Sequence, residues 1–327
     1  MDAPWLSVLM PTYDGAPWVG AALESVCAEA DEGVEVVVVD DGSTDATLEL
    51  VRAFQTRLPL RIAGTARVGN WVAGTNLALR AAAGRHACVL HQDDVWLPGR
   101  VAALRRALAA DPPCALVVQP AVFIGARGER LGTWRTPFGQ EDRLLDAAAF
   151  LERLLVQNFL AMPAPVFGRE AALRIGGLDE ALWYTADWDF WLRLGALGPV
   201  RCLAQPLTGF RVHPASQTMA RPRTSDEFRA QLRSVLDRHL AAWSASVPPR
   251  IAARVRRAAE FSVEANVAMA TAHRGRPVAL GALAVSFLRL GPAGWIRYLR
   301  DSRLAERISA RLRARRVSRA PESGAQI

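Results

Sequence analysis

"VEVVVVDDGSTDATLELVRAF", residues Val34 to Phe54, decides the fold. Val34–Val39 is a run of β-branched residues, which reads as a strand buried on both faces. The run stops at Asp40-Asp41-Gly42-Ser43-Thr44-Asp45, a turn in which Ser43 or Asp45 is suited to cap the next helix. "ATLELVRAF" then has helical spacing. The same unit repeats on either side. "LSVLM" (Leu6–Met10) is a strand, broken by "PTYDGAP". It is followed by a helix over Trp18–Ala30, with Val19, Leu23, Val26 and Cys27 on one face. "LRIAG" and "HACVLH" are strands. "WVAGTNLALRAAAG", closed by Gly84, and "PGRVAALRRALAA" are helices. Four strand–helix alternations within roughly 110 residues predict an α/β fold, a mostly parallel sheet with helices on both faces.

Past that point the alternation loosens. "CALVVQPAVF" (Cys114–Phe123) reads as one strand, "LLDAAAFLERLLVQ" as a helix, and "APVFGREAALRIGG" as a strand and short helix stopping at Gly176-Gly177. "DWDFWLRLGALG" is a strongly apolar helix, and "VRCLAQPLTGFRVH" is an extended pair broken at Pro206. From about Arg221 the pattern is almost wholly helical, with breaks at Pro248-Pro249, Pro277 and Pro292. Two units are expected, 1–220 and 221–327, the second ending in an Arg-rich amphipathic segment and a disordered "APESGAQI".

The 327 residues are 51% hydrophobic, a globular value, and suffice for a sizeable core. Cys27, Cys88, Cys114 and Cys202 lie far apart without CxxC spacing, which predicts reduced, buried thiols and a cytoplasmic protein. No secretory signal is expected at the start. The apolar run Pro277–Leu288 has twelve residues, short of the ~20 a bilayer requires. Net charge is +8, and every basic side chain other than His is Arg. That balance suits phosphorylated substrates, acidic lipid or nucleic acid. Leu304, Ile308 and Leu312 recur every four residues beside Arg303, Arg307 and Arg311. Such a helix is suited either to the cytoplasmic face of an anionic membrane or to packing on the rest of the protein.

The chemistry is concentrated at strand ends. In an open parallel sheet, ligands bind beyond the carboxyl ends of the strands. Three strands end there in Pro11-Thr12-Tyr13-Asp14, Asp40-Asp41-Gly42-Ser43 and Gln92-Asp93-Asp94. Two carboxylates ~4 Å apart repel by about 4 kcal/mol at an effective dielectric of ~20. A divalent cation removes that repulsion, and Mg²⁺ typically takes one or two carboxylates and completes its shell with substrate phosphates and water. Asp40 and Asp41 precede the turn and are suited to accept hydrogen bonds from a nucleobase or ribose; Tyr13 could stack on a base.

Taken in order, "SVLMPTYDGAPWVGAALESV", "VVVVDDGSTDAT", "LHQDDVWLPGR", and "GGLDEALWYTADWDFWLRL" followed by "FRVHPASQT" resemble a family 2-type glycosyltransferase with the GT-A fold, over about residues 5–218. The resemblance implies that 1–220 is a Rossmann-like catalytic domain. Pro11, Thr12 and Tyr13 would line the nucleotide pocket and Asp41 would bind the base. Asp93 would contact ribose or metal, and Asp94 would hold Mn²⁺ or Mg²⁺ on the donor diphosphate. Asp187 would be the catalytic base, with Arg211 and His213 near the diphosphate and His213 a further candidate metal ligand. Two departures stand out. The metal motif often reads Asp-x-Asp, but His91 occupies its first position and reads as structural. The base motif often reads Glu-Asp, but here it is Ala186-Asp187.

The expected reaction is metal-dependent transfer of a sugar, with inversion, from a nucleoside-diphosphate sugar to a hydroxyl of a glycan or lipid-linked acceptor in cell-surface polysaccharide or glycolipid synthesis. Asp187, just before an apolar helix, is placed for partial desolvation to raise its pKa; Asp189 reads as a helix-start charge. Two rival readings find less support. A sugar-phosphate nucleotidyltransferase wants a Gly-rich basic loop after the first strand, where this chain has Pro-Thr-Tyr-Asp. A nucleic-acid module would rest on the Arg-rich tail alone, without helix-turn-helix, RNP or zinc signature, so no nucleic-acid partner is expected.

Overall fold

The computed structural model describes residues 3–213, 224–273 and 276–319. The expected boundary at 220, the "PASQT" of the last motif and the tail from 320 onward lie outside the described residues. The α/β part opens with β1 (Leu6–Thr12), α1 (Ala16–Glu29), β2 (Val34–Asp40), α2 (Thr47–Ala53), β3 (Leu60–Gly64), α3 (Trp71–Ala81), β4 (His86–Val89), β5 (Val95–Trp96) and α4 (Arg100–Ala109). It continues with β6 (Leu116–Val118), β7 (Ala121–Ile124), β8 (Arg130–Trp134), β9 (Arg143–Leu145), α5 (Ala147–Leu154), β10 (Val166–Gly168), α6 (Arg169–Arg174), α7 (Ala186–Gly195), β11 (Val200–Cys202) and β12 (Thr208–Arg211). The helical part is α8 (Ser225–Ser244), α9 (Pro249–His273), α10 (Leu280–Leu288), α11 (Gly291–Ser302) and α12 (Leu304–Arg319).

The main sheet has eight strands in the order β3-β2-β1-β4-β10-β6-β11-β9, and a second sheet has the order β5-β12-β7-β8. β3, β2, β1 and β4 are parallel neighbours, and β10 enters antiparallel between β4 and β6. Alternation explains why β1 and β2 are apolar throughout. Leu6, Val8, Met10, Val34, Val36 and Val38 face one core under α1, α2 and α4, whereas Leu9, Val37 and Val39 face another under α3, α7 and the C-terminal helices.

Several local expectations change. Cys114–Phe123 is two strands, β6 and β7, which belong to different sheets. The chain switches sheets at Gln119-Pro120, where proline cannot continue a ladder. The helix expected over 144–157 is only Ala147–Leu154, capped by Asp146, whose side chain accepts the Ala149 N–H at 2.8 Å; the preceding Arg143–Leu145 forms an edge strand. α3 ends at Ala81, not at Gly84. Gly84 serves close approach instead: its N–H donates to Ser7 Oγ at 2.8 Å, and a Cβ there would lie 2.8 Å from the Ser7 main-chain nitrogen. Ser43 caps no helix, because its hydroxyl donates to Asp40 at 2.6 Å and accepts from Asp14 N at 2.9 Å.

The C-terminal helices are tied to α5 and α7 by buried charge. Asp301 on α11 is fully buried and meets Arg153 of α5 at 2.5 Å, Arg300 at 2.9 Å and Arg297 at 3.4 Å. Asp189 on α7 is likewise fully buried, between Arg193 at 2.7 Å and, from α8, His239 at 2.8 Å and Arg238 at 3.1 Å. Leaving either buried carboxylate without its cations would cost about 3–5 kcal/mol. α12 lies on β8, where Arg313 donates to the Leu131 carbonyl at 2.8 Å and Arg135 meets Glu306 at 3.3 Å.

Gly84→Ala is expected to destabilise the protein by about 1–3 kcal/mol through overpacking against β1. Gly20→Ala, on α1 with open space at its Cβ position, is expected to stabilise it by about 0.5–1 kcal/mol. Urea unfolding followed by circular dichroism measures both.

Candidate active site

A cleft of about 640 Å³ opens at the carboxyl ends of β1, β2 and β4, walled by the second sheet and by residues of α7, α8, α9 and α12. Pro11, Thr12, Tyr13, Asp41, Asp93, Asp94, Asp187, Arg211 and His213 all line it. Each is held by a different local device.

The rim of β1 and β2 is an interlocked pair of loops. Asp40 is fully buried and takes Thr12 Oγ1 at 2.9 Å, Ser43 Oγ at 2.6 Å and Ser43 N at 2.8 Å. Asp40 and the Thr12 hydroxyl are therefore structural. Asp14 sits at φ 43°, a backbone conformation that Asp tolerates better than most residues, and accepts Thr44 N at 2.7 Å. Asp41 Oδ1 accepts the Gly69 N–H at 2.7 Å and the Val68 N–H, so the loop after β3 is folded onto the carboxylate. Arg67 of that loop lies over the Tyr13 ring at 4.7 Å and donates to its hydroxyl at 3.0 Å. One face of the Tyr13 ring is thus already covered by a guanidinium. Gln92 clips β1 to β4 by bonding both Tyr13 N at 2.8 Å and Tyr13 O at 2.9 Å.

Asp93 and Asp94 follow on the β4 side. Asp94 is buried; its Oδ1 accepts Arg211 N at 2.9 Å, but its Oδ2 has no partner. Burial and the neighbouring Asp93 push its pKa well above the usual carboxylate range. Burial works on Asp93 as well, but the hydrogen bond from His213 Nε2 at 2.9 Å and the nearby His91 together bring its pKa below normal. His91 also lacks a partner at Nε2, and burial lowers its pKa, which favours the neutral imidazole that ligates metals. His91, Asp93 and Asp94 offer one ligand atom each within 4.8 Å of one another. Two orphaned buried atoms and a like-charge pair fit a divalent cation, and His91 fills the place of the missing first acid. His213 stands behind Asp93, its ring against Trp18 at 4.0 Å between centroids. Arg211 directs its guanidinium to carbonyls, Asp93 O at 2.6 Å, Gly125 O at 2.8 Å and Ala126 O at 3.2 Å, so it fixes the acidic loop from behind.

Asp187 lies in the first turn of α7. Burial raises its pKa to about 6 against the pull of two hydrogen bonds, from Trp188 N at 2.7 Å and Asn158 Nδ2 at 2.8 Å. The cap position belongs to Thr185. Asp189, pointing the other way into its arginine and histidine partners, has a lowered pKa despite its burial.

Sequence reasoning preferred a structural role for His91 over a ligand role, and it missed Arg67, Asn158, Arg307 and Arg311 as cleft residues. Arg67 had a usable signal: it follows a strand whose carboxyl end faces the same rim. Asn158 had none, since it lies in an irregular segment 29 residues from its partner.

The comparisons agree with this geometry. Residues 7–161 match the family model described as "Glycosyl transferase family 2". An uncharacterized glycosyltransferase of Rickettsia prowazekii is 24% identical over 66% of this chain and 66% of its own length. The succinoglycan biosynthesis protein ExoO of Rhizobium meliloti is 30% identical over 70% of this chain and 66% of its own. The match thus spans about two thirds of each relative. S. aureus TarS, solved with UDP-GlcNAc, superposes with a TM-score of 0.67 at 15% identity over 90% of this chain and 79% of that one. A mannosyltransferase from Pyrobaculum calidifontis, solved with GDP-Man and Mn²⁺, gives 0.53 at 21% identity over 96% and 88%. The chain belongs to the family 2 glycosyltransferases, with the GT-A type of fold. It is an enzyme of glycosyl transfer.

Asp94→Asn is expected to be at least as stable as wild type at pH 7.5 without metal. A carboxyl whose folded pKa is raised contributes most stability when protonated and loses it as pH rises through that pKa, and Asn stays neutral throughout. Mn²⁺ should raise the Tm of wild type but not that of Asp94→Asn or His91→Ala. Thermal unfolding with and without Mn²⁺ checks all three.

Proposed function

We propose that the protein transfers a sugar from a nucleoside-diphosphate sugar to an acceptor hydroxyl, with metal dependence and inversion. The observation that carries this reading is the placement of Asp187, a carboxyl raised to about 6, in the same cleft as the His91, Asp93 and Asp94 cluster. The two halves of the reaction need those two features. A leaving diphosphate gains negative charge, and an acceptor hydroxyl must lose a proton.

The nucleotide lies along the tips of β1 and β2 in this reading. Pro11 and Tyr13 line its pocket, Thr12 keeps Asp40 in place, and Asp41 meets the base with the oxygen not used by the 68–69 loop. Arg67 covers one face of the Tyr13 ring and leaves the other face for the base. His91, Asp93 and Asp94 hold the cation, His213 fixes the Asp93 carboxylate, and Arg211 holds the loop carrying both acids. A bound Mn²⁺ or Mg²⁺ would supply positive charge to the donor diphosphate. Asn158 orients Asp187, which takes the acceptor proton at one carboxylate oxygen as that hydroxyl attacks the anomeric carbon from the face opposite the diphosphate. That direction of attack inverts the configuration. The name of the Rhizobium relative favours a place in polysaccharide synthesis.

Residues of α8, α9 and α12 extend this cleft, and α10 and α11 carry an apolar surface. Among the described residues no helix is long and apolar enough to cross a membrane. α12, the expected membrane helix, spends one face on β8, leaving Ile308 and Leu312 outside at 40% and 51% exposure. The larger apolar surface is on α10 and α11, where Leu280, Leu288, Ile296 and Leu299 are each more than half exposed beside Arg289 and Arg300. Anionic lipid is the occupant that this mix of charge and apolar area fits, so we place membrane contact there. Sedimentation with vesicles containing phosphatidylserine should retain wild type and lose most binding in an Ile296→Ser, Leu299→Ser double variant; equal partitioning would reject the contact.

Asp187→Asn is expected to lower the transfer kcat by about 10²–10⁴ while leaving donor binding intact. Wild-type kcat should fall as pH drops below about 6, because a protonated Asp187 cannot accept the proton. Screening nucleotide-sugars for metal-dependent release of nucleoside diphosphate, with NMR of the product's anomeric proton, tests the reading. Retained configuration would exclude single displacement at Asp187.

A further inference from the structure

Helix α12 brings Arg307 and Arg311 to the cleft. Both lie outside residues 7–161 matched by the family model. Arg307 is anchored from one side: its Nη2 donates to Asn266 Oδ1 at 3.2 Å. Asn266 donates in turn to Gln157 Oε1 at 2.7 Å, an oxygen that also accepts from Ser262 Oγ at 2.8 Å. Gln157 precedes Asn158, the residue that holds Asp187 at 2.8 Å. Arg307 is therefore built into the wall behind the base, not left to wander in solvent. Its Nη1 is buried and has no hydrogen-bond partner.

Among the described residues, neither Arg307 nor Arg311 has a carboxylate within 4.0 Å. Desolvation, with the like charge of Arg311, lowers the Arg307 pKa to about 10, which leaves it a cation at neutral pH. Two arginines one helical turn apart, facing one cleft without an anion between them, repeat the unbalanced arrangement of Asp93 and Asp94 with the opposite sign. Guanidinium forks match phosphate oxygens in pairs.

We propose that Arg307 and Arg311 form a binding site for a phosphate group carried by the acceptor. The proposal rests on the glycosyl-transfer reading above. The donor's own diphosphate is the other phosphate the cleft would hold, but it is matched by the cation cluster. Arg307 is linked instead, through Asn266 and Gln157, to the segment that orients the base, and the base meets the acceptor hydroxyl. The class of acceptor is then a phosphorylated glycan, a phosphodiester polymer or a lipid-linked phosphosugar.

Isothermal titration of the full chain with inorganic phosphate tests the site. Wild type should bind phosphate in EDTA, and should bind it within about twofold as tightly when UDP or GDP with Mg²⁺ is saturating. Arg307→Gln and Arg311→Gln should each weaken phosphate by about tenfold or more without changing nucleotide affinity. Unfolding curves of both variants separate lost binding from lost fold. Phosphate binding unchanged in both folded variants would overturn the site. Phosphate displaced by nucleotide, with Arg307→Gln weakening nucleotide equally, would overturn the acceptor assignment and give the arginines to the donor. Failure of wild type to bind either nucleotide would count against glycosyl transfer itself, while the phosphate titration would still report on Arg307.

Discussion

Two adjacent aspartates at the end of β4 cannot both be ionised in a buried place without a compensating charge. The fold resolves this by treating them differently. Asp93 receives His213 and stays ionised; Asp94 receives one main-chain N–H and keeps an oxygen with no partner. Much of the surrounding structure maintains that asymmetry. Arg211 ties the acidic loop to β12 and to the turn at Gly125, and its own position is set by pairing β12 with β7. The second sheet therefore holds the back of the acidic loop. Without it the loop would relax outward, both carboxylates would hydrate, and the charge pattern that a cation requires would disperse.

The helical part of the chain completes the cleft. α7 carries Asp187 on one side and Asp189 on the other. Asp189 is gripped from α8 by Arg238 and His239 and within α7 by Arg193, so the helix that carries Asp187 is clamped from behind. Asp301 does the same for α11 against α5. These buried clusters are poor sources of net stability, because desolvation offsets their attraction. They fix the rotation and position of the helices, an accuracy that the base role proposed for Asp187 demands. The link from Asp187 through Asn158 and Gln157 to α9 and α12 ties the cleft wall to the C-terminal helices.

The sequence made the fold legible where one rule acted alone. β-branched runs buried on both faces, alternating with amphipathic helices, identify the parallel strands β1 to β4 because periodicity and burial agree there. The rule failed at Cys114–Phe123, where one apolar run feeds two sheets: both strands are buried, so hydrophobicity does not mark the switch at Gln119-Pro120. At the site, residues named from strand ends share the cleft, since the ends of parallel strands face one rim whatever the loops do. What was not legible depends on tertiary geometry. Whether Asp40 or Asp41 reaches the cleft turns on one step of strand alternation and on the hydroxyls of Thr12 and Ser43. His91 reads as an ordinary core histidine until its unpartnered nitrogen is seen beside two carboxylates. Arg307 reads as one of many arginines in a basic helix.

Unpartnered buried polar atoms do not mark function by themselves. Gln119 leaves both side-chain polar atoms without a partner, and Arg100 is fully buried with only one of its nitrogens bonded, to the Pro163 carbonyl. Neither lines the cleft, and Arg100 finds part of its compensation in the face of Trp96 at 5.2 Å. Asp94, His91, His213 and Arg307 differ because their unsatisfied atoms belong to residues lining one solvent-connected space, and because the charges come in two opposed groups. An acidic cluster at the sheet tips and a basic pair on α12 would each be unfavourable alone. Bound cation and phosphate would neutralise both, and the cleft is then most stable when filled, which is the condition under which a transferase must hold two substrates together and keep water out.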